Sequence, residues 1–154
     1  MTKANTPAAS NIDTLYQDIR QLIENTKTRV LSQVNQALVL TYWQIGKTIK
    51  TEILHDDRSE YGHATLKQLA QRLQQEYGAG FSYSSLTRMT KFYAYISDYE
   101  KVATLSQQLS WSHFVELIKI EDELKRGFYT RLCSEARWSV SILRERMDSM
   151  LYVR

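Results

Sequence analysis

Beyond Pro7 the 154-residue chain contains no proline, and only five glycines interrupt it. Proline is the residue that removes an interior helical hydrogen bond outright, so almost the whole chain is permitted to be helical. The apolar spacing points the same way. Ile12, Leu15, Ile19, Leu22 and Ile23, then Val30, Val34, Leu38, Tyr42, Ile45, Ile49 and Ile53, recur at steps of three and four, which gathers side chains on one helical face. The polar interval from Glu24 to Arg29 is either a boundary between two helices or a solvated turn of one. Around LVLTYWQIG, Val39, Leu40 and Trp43 fall off the main stripe. That segment is expected to be buried on more than one side, by its own domain or by a second copy.

The rest of the chain reads in the same period. HDDRSEYGH, His55 to His63, is expected to be a loop, followed by a helix over Ala64 to Tyr77 carrying Leu66, Leu69, Ala70 and Leu73. Gly78 stands where a left-handed cap would close it. A helix from about Tyr83 carries Leu86, Met89, Phe92, Tyr93 and Ile96, and Asp98 to Gln108 reads as a weakly patterned connector. Trp111, Phe114, Val115 and Ile118 form a short helix with Ser110 as its N-cap. Leu124, Phe128 and Leu132 carry the next, and Val140, Leu143, Met147 and Leu151 the last. No run alternates with period two, so the expected fold class is all-α.

A chain of this length is sized for one domain, placed at residues 12 to 154 behind a mobile tail at 1 to 11. Its net charge of +3 is thin: residues 1 to 77 hold nine Lys/Arg against eight Asp/Glu, and residues 78 to 154 hold eleven against nine. Nucleic-acid binding is permitted by that balance and must come from local surface. The single cysteine, Cys133, rules out an internal disulfide and fits a reducing compartment. No apolar run approaches the roughly 20 residues that span a membrane, and MTKANTPAAS lacks the apolar core of a secretory signal. The expected location is the cytoplasm.

The stretch EYGAGFSYSSLTRMTKFY, Glu76 to Tyr93, holds the chain's best candidate for an outward-facing device. Two helices joined by a glycine-containing turn form a helix-turn-helix, whose second helix enters the major groove. Here the unit would span about Ala64 to Ile96, with Gly78 and Gly80 in the turn, Ser82 as N-cap, and Phe81 and Leu86 spaced for a hydrophobic staple. The second helix would present Tyr83, Ser84, Ser85, Thr87, Arg88, Thr90 and Lys91, with no acid before Asp98. Hydroxyls and free N–H groups at a helix start suit phosphate. Arg88 suits guanine or phosphate, and Lys91 phosphate. A packed bend between two helices explains the same pattern without DNA.

Four blocks, LTYWQIGKTI (Leu40 to Ile49), EYGAGFSYSSLTRMTKFY, TLSQQLSWSHF (Thr104 to Phe114) and FYTRLCSEARWSVSILRERMDSMLY (Phe128 to Tyr152), resemble the N-terminal domain of the YhcG family. In that family a helical, helix-turn-helix-like domain precedes a PD-(D/E)XK nuclease domain. The resemblance, covering about Leu15 to Tyr152, implies a DNA-binding or targeting module, not itself an enzyme, with Mg²⁺ needed only by a nuclease domain beyond Arg154. Where the family tends to carry arginines after the GFS turn, this chain has Tyr83 and Ser84.

Other chemistry is sparse. Glu123-Leu124-Lys125 matches an E-x-K string but lies in a helical pattern, whereas a PD-(D/E)XK site needs strands. Ser112 and His113 are adjacent and point about 100° apart on a helix; His113 is expected to be hydrogen-bonded at an edge. The three histidines have no metal-ligand spacing. Cys133 reads as a small buried side chain. Lys125 and Arg126 each have an acid four residues earlier, as on a salt-bridged solvated face. The readings are DNA binding through Tyr83, Ser84, Ser85, Thr87, Arg88 and Lys91, or assembly as a homodimer or with a protein partner through Val34 to Ile53; neither a cofactor nor a small-molecule substrate is expected.

Overall fold

The structure, a computed structural model, describes residues 8–54, 60–149 and 152. Among these residues the chain is all-α: α1 (Ala8–Glu52), α2 (Glu60–Tyr77), α3 (Tyr83–Tyr95), α4 (Tyr99–Leu105), α5 (Trp111–Leu117), α6 (Glu123–Ala136) and α7 (Val140–Asp148), with a 3₁₀ turn at Ala79–Phe81 between α2 and α3. The chain divides into two compact units, Met1–Val34 and Asn35–Arg154, the division falling within α1 and within the span read as one domain.

The described residues of the first unit all belong to α1. The helix begins at Ala8, inside the expected tail, and continues through Glu24 to Arg29 without a break. That polar interval is therefore a turn of one helix. Gln21 Nε2 donates to Asn25 Oδ1 at 2.8 Å, and Lys27 lies 3.7 Å from Glu24. These are the i,i+3 and i,i+4 pairs that lend a solvated helix a few tenths of a kcal/mol each.

In the second unit, Val39 and Trp43 are buried with Phe92, Val102, Phe114 and Tyr129 in the main core, while Ile49 joins Leu66, Leu86 and Met89 in an adjoining cluster. Off-stripe Val39 and Trp43 are thus buried, as is on-stripe Ile49, while on-stripe Leu38 is exposed. The Trp43 indole N–H donates to the Ile96 carbonyl at 2.7 Å, so this large ring is buried with its one polar atom satisfied. Asn35 Nδ2 donates to the carbonyls of Ser106 and Leu109, each at 3.1 Å, and Gln36 Nε2 to that of Ala103 at 2.9 Å. These amides supply partners to carbonyls at the end of α4 and in the connection that follows it.

Gly46 allows α1 to meet α3 backbone to backbone. A Cβ built there would lie 2.0 Å from the Met89 carbonyl oxygen, a separation no side chain permits. Five helices in succession, α3 to α7, begin at a side-chain N-cap: Ser82, Asp98, Ser110, Asp122 and Ser139. Two expectations fail on this point of local helix initiation. Asp98 to Gln108 is not merely a connector, because Asp98 caps α4 and Val102 is fully buried. Glu60 to His63 belong to α2 rather than a loop, Gly62 being buried close to the Ile53 carbonyl; residues 55–59 of that expected loop, and Leu151 of the last apolar pattern, lie outside the described residues.

Candidate nucleic-acid interface

Helix α3 is held from behind and at its start. Leu86, Met89, Thr90 and Phe92 are its buried face. Ser82 accepts from the Ser85 N–H at 3.2 Å, as the sequence leads one to expect. Phe81 packs against the cluster that contains Leu86, with its ring near Tyr42 and Tyr77. Gly78 takes φ 95°, ψ −170°, a glycine conformation that is not the left-handed helical cap expected there.

The structure divides the candidate contact residues. Ser84, Thr87 and Arg88 are exposed, and Arg88 forms no salt bridge among the described residues. The Thr87 hydroxyl donates to the Tyr83 carbonyl at 2.8 Å, leaving its oxygen able only to accept from elsewhere. Lys91 is half-buried, its ammonium 5.4 Å from the Tyr95 ring centroid. Tyr83 and Ser85 are half-buried and committed inward. The Tyr83 ring lies 5.7 Å from Lys67 Nζ and its hydroxyl 3.5 Å from His63 Nδ1, while Ser85 hydrogen-bonds with the cap residue Ser82. Thr90, read as outward, is buried, and its hydroxyl donates to the Leu86 carbonyl at 3.0 Å. The open face of α3 therefore runs Ser84, Thr87, Arg88, Lys91, on one side of the helix at the spacing of three and four.

Beyond Lys91 this face meets a residue that the sequence reading misplaced. Arg126 is buried, with its guanidinium 4.0 Å from the Tyr95 ring centroid. Its Nη1 donates to the Ile120 carbonyl at 2.8 Å and to that of Glu121 at 3.2 Å. It forms no salt bridge with Asp122, whose carboxylate instead caps α6 by accepting from the Leu124 and Lys125 N–H groups. The expected pairing of Glu121 with Lys125 is likewise not formed. A cavity of about 310 Å³ adjoins Arg126, lined among others by Tyr95, Lys101, Glu123, Arg131 and Glu135. No spacing signal marks Arg126 as special. Only the fold brings Tyr95 and the Ile120 carbonyl to its guanidinium.

The chain matches the DUF1016 N-terminal domain over residues 18–154. It belongs to that family. It is also 25% identical over 170 residues to "Putative nuclease YhcG" of Escherichia coli (strain K12), a match covering 91% of this chain and 45% of that protein. The chain thus spans less than half the length of that relative. No solved structure matches it. The resemblance carried by the YWQIG, GFS and LSWSHF blocks is borne out.

Within this DUF1016 N-terminal domain the remaining candidates take structural places. Glu123 and Lys125 lie in the first turn of helix α6, not on strands. No group of three or more potential metal ligands is gathered among the described residues. His113 Nδ1 accepts from the Ser110 N–H at 3.0 Å, which leaves Nε2 to donate to the Trp138 carbonyl at 2.8 Å. Both ring nitrogens are spent on structure, so Ser112 has no base beside it. Cys133 is buried, and burial pushes its thiol up to about 11, well away from a nucleophilic thiolate. Glu116 is buried between Lys119 at 3.1 Å and Arg144 at 3.2 Å. Burial works to raise its carboxyl pKa, but the hydrogen bonds and charges of those two cations prevail and hold it below its ordinary value. No described helix is long and apolar enough to cross a membrane.

Proposed function

We propose that this DUF1016 N-terminal domain is a DNA-binding module that delivers a nuclease to its substrate and does no chemistry itself. The observation that carries the reading is the open face of α3, where Arg88 lacks a carboxylate partner and no acid occurs between Glu76 and Asp98. A carboxylate on such a face would oppose a phosphate contact, and its absence leaves the Ser84 hydroxyl and the cations Arg88 and Lys91 to act together. Tyr83 and Ser85 support this helix from the inward side and do not contact DNA. The relative's printed description as a nuclease, matched over less than half of its length, supports placing the catalytic part and its Mg²⁺ in a region with no counterpart in this chain. Modest affinity follows from so few cations.

Fluorescence anisotropy of a labelled duplex, titrated with the chain across a salt series, tests this reading. Binding is expected at low salt and should weaken linearly in log salt. Arg88→Ala/Lys91→Ala should lower the slope by about 1 to 2 with helical content intact. Absence of binding by the unaltered chain at low salt, or unchanged binding in the double variant, would defeat it.

A further inference from the structure

The cavity beside Arg126 has no part in the DNA reading. Arg126 forms part of its wall and is only 7% exposed, and no carboxylate lies within ion-pair distance of it among the described residues. A buried cation without a counter-charge is costly, and the Tyr95 ring and two backbone carbonyls offset only part of that cost. Both carbonyls are bound by Nη1, at 2.8 and 3.2 Å. The N–H groups of Nε and Nη2 have no protein acceptor among the described residues. Those two nitrogens share one edge of the guanidinium, on which an N–H of each points the same way. That edge is a fork that holds an oxyanion through two parallel hydrogen bonds.

The cavity, about 310 Å³ in volume, brings two more cations to the same space, Lys101 of α4 and Arg131 of α6. Both are exposed and neither forms an ion pair among the described residues, although Glu123 and Glu135 share the wall. Three cations against two carboxylates leave the wall positive. Its hydroxyls donate elsewhere, Thr130 to the Arg126 carbonyl at 2.8 Å and Ser134 to Gln108 Oε1 at 3.1 Å. Cationic N–H groups are therefore the side-chain donors left for a ligand. Gly127 also lines the cavity, and a Cβ built there meets nothing within 4 Å. No packing contact thus accounts for a residue that weakens a helix interior; its missing side chain leaves the wall open. A carboxylate ligand has two oxygens, which the Arg126 edge alone would occupy, whereas a phosphate has further oxygens for Lys101 and Arg131. We infer that this cavity is a phosphate-binding site, in which Arg126 supplies the buried fork and Lys101 and Arg131 the rim. The phosphate is that of a nucleic-acid backbone or of a free phosphoryl compound. The inference does not rest on the open face of α3, because Ser84, Thr87, Arg88 and Lys91 do not line the cavity.

Calorimetric titration of the full 154-residue chain with inorganic phosphate, at an ionic strength held constant with chloride, tests this site. Saturable binding is expected, with Kd on the order of 1 mM or tighter. Arg126→Lys keeps the charge and loses the fork, and should weaken binding about tenfold. Lys101→Ala/Arg131→Ala alters exposed side chains only, so the fold stays in place while binding weakens by a similar factor. Gly127→Glu adds a third carboxylate to the wall at a position whose Cβ displaces no neighbour, and should also weaken binding. Absence of saturable binding by the parent chain, or binding indifferent to both the rim pair and Gly127→Glu, overturns the site and leaves the α3 reading untouched. A second titration in excess duplex names the source: loss of phosphate binding assigns a backbone phosphate, and its retention assigns a free phosphoryl compound.

Discussion

Two stretches of α1 share one amphipathic period and meet opposite fates. Along Ile12 to Val34 every apolar side chain stands in solvent, whereas a few residues later Val39, Trp43 and Ile49 are fully buried. The same steps of three and four serve both. Periodicity therefore reports that a helix has an apolar face, and is silent on what covers it. The buried stretch has features the exposed one lacks: Gly46, admitting the α3 backbone, and Asn35 and Gln36, whose amides bond to carbonyls some seventy residues away in sequence. Within Val34 to Ile53, the segment read as a dimer surface, the chain already uses Val39, Trp43 and Ile49 for its own core. Val34 and Leu38 remain exposed in that segment, and the longer exposed apolar run lies earlier.

The contrast breaks most readily at Trp43. Trp43→Ala removes a buried ring and a satisfied indole N–H, and should cost about 3–5 kcal/mol in urea unfolding. Ile23→Ala, on the exposed stretch, should stay within about 0.5 kcal/mol. Equal losses at the two positions would mean that the stretches do not differ. Gly46→Ala comes next. Its methyl has no room against the Met89 carbonyl, so α1 and α3 must part, at about 1–3 kcal/mol in the same assay; a neutral outcome would show that the close approach is not needed. The smallest expected effect belongs to Glu116, where the partners Lys119 and Arg144 are more than half exposed and solvent screens them. Because the folded-state pKa is depressed, its stabilisation is present above the ordinary carboxylate value of 4.5 and is lost as pH falls through the lowered value. Glu116→Gln should flatten the decline of melting temperature below about pH 4.5. An unchanged acid limb would remove Glu116 from the acid sensitivity of this core.

Several features were legible because they are local. Ser82 and Ser110 initiate helices through bonds to N–H groups three residues on, and that information lies entirely in short range. Asp98, Asp122 and Ser139, which the sequence reading did not single out, cap helices through N–H groups two or three residues on, and α4 shows that one cap and one buried valine suffice where the apolar pattern is weak. On α3, Ser84, Thr87, Arg88 and Lys91 were recognisable as one face, but Tyr83, Ser85 and Thr90 were not separable from it. Their neighbours His63, Lys67, Ser82 and Gly46 define which side is inward, and three of those four lie on other helices. Arg126 shows the same limit, since an acid four residues earlier suggests a surface pair, while an aromatic ring on α3 and two carbonyls make it a buried cation.

What the sequence determined by itself is the helical class, the family and the amphipathic character of each helix, because these depend on spacing, capping and the composition of short blocks. The tertiary structure alone decided which stripe of α1 becomes core, which residues of α3 face outward and where Arg126 places its charge. Those outcomes depend on contacts between residues distant in the chain, and a period of 3.6 is satisfied equally by burial within one chain and by exposure to solvent.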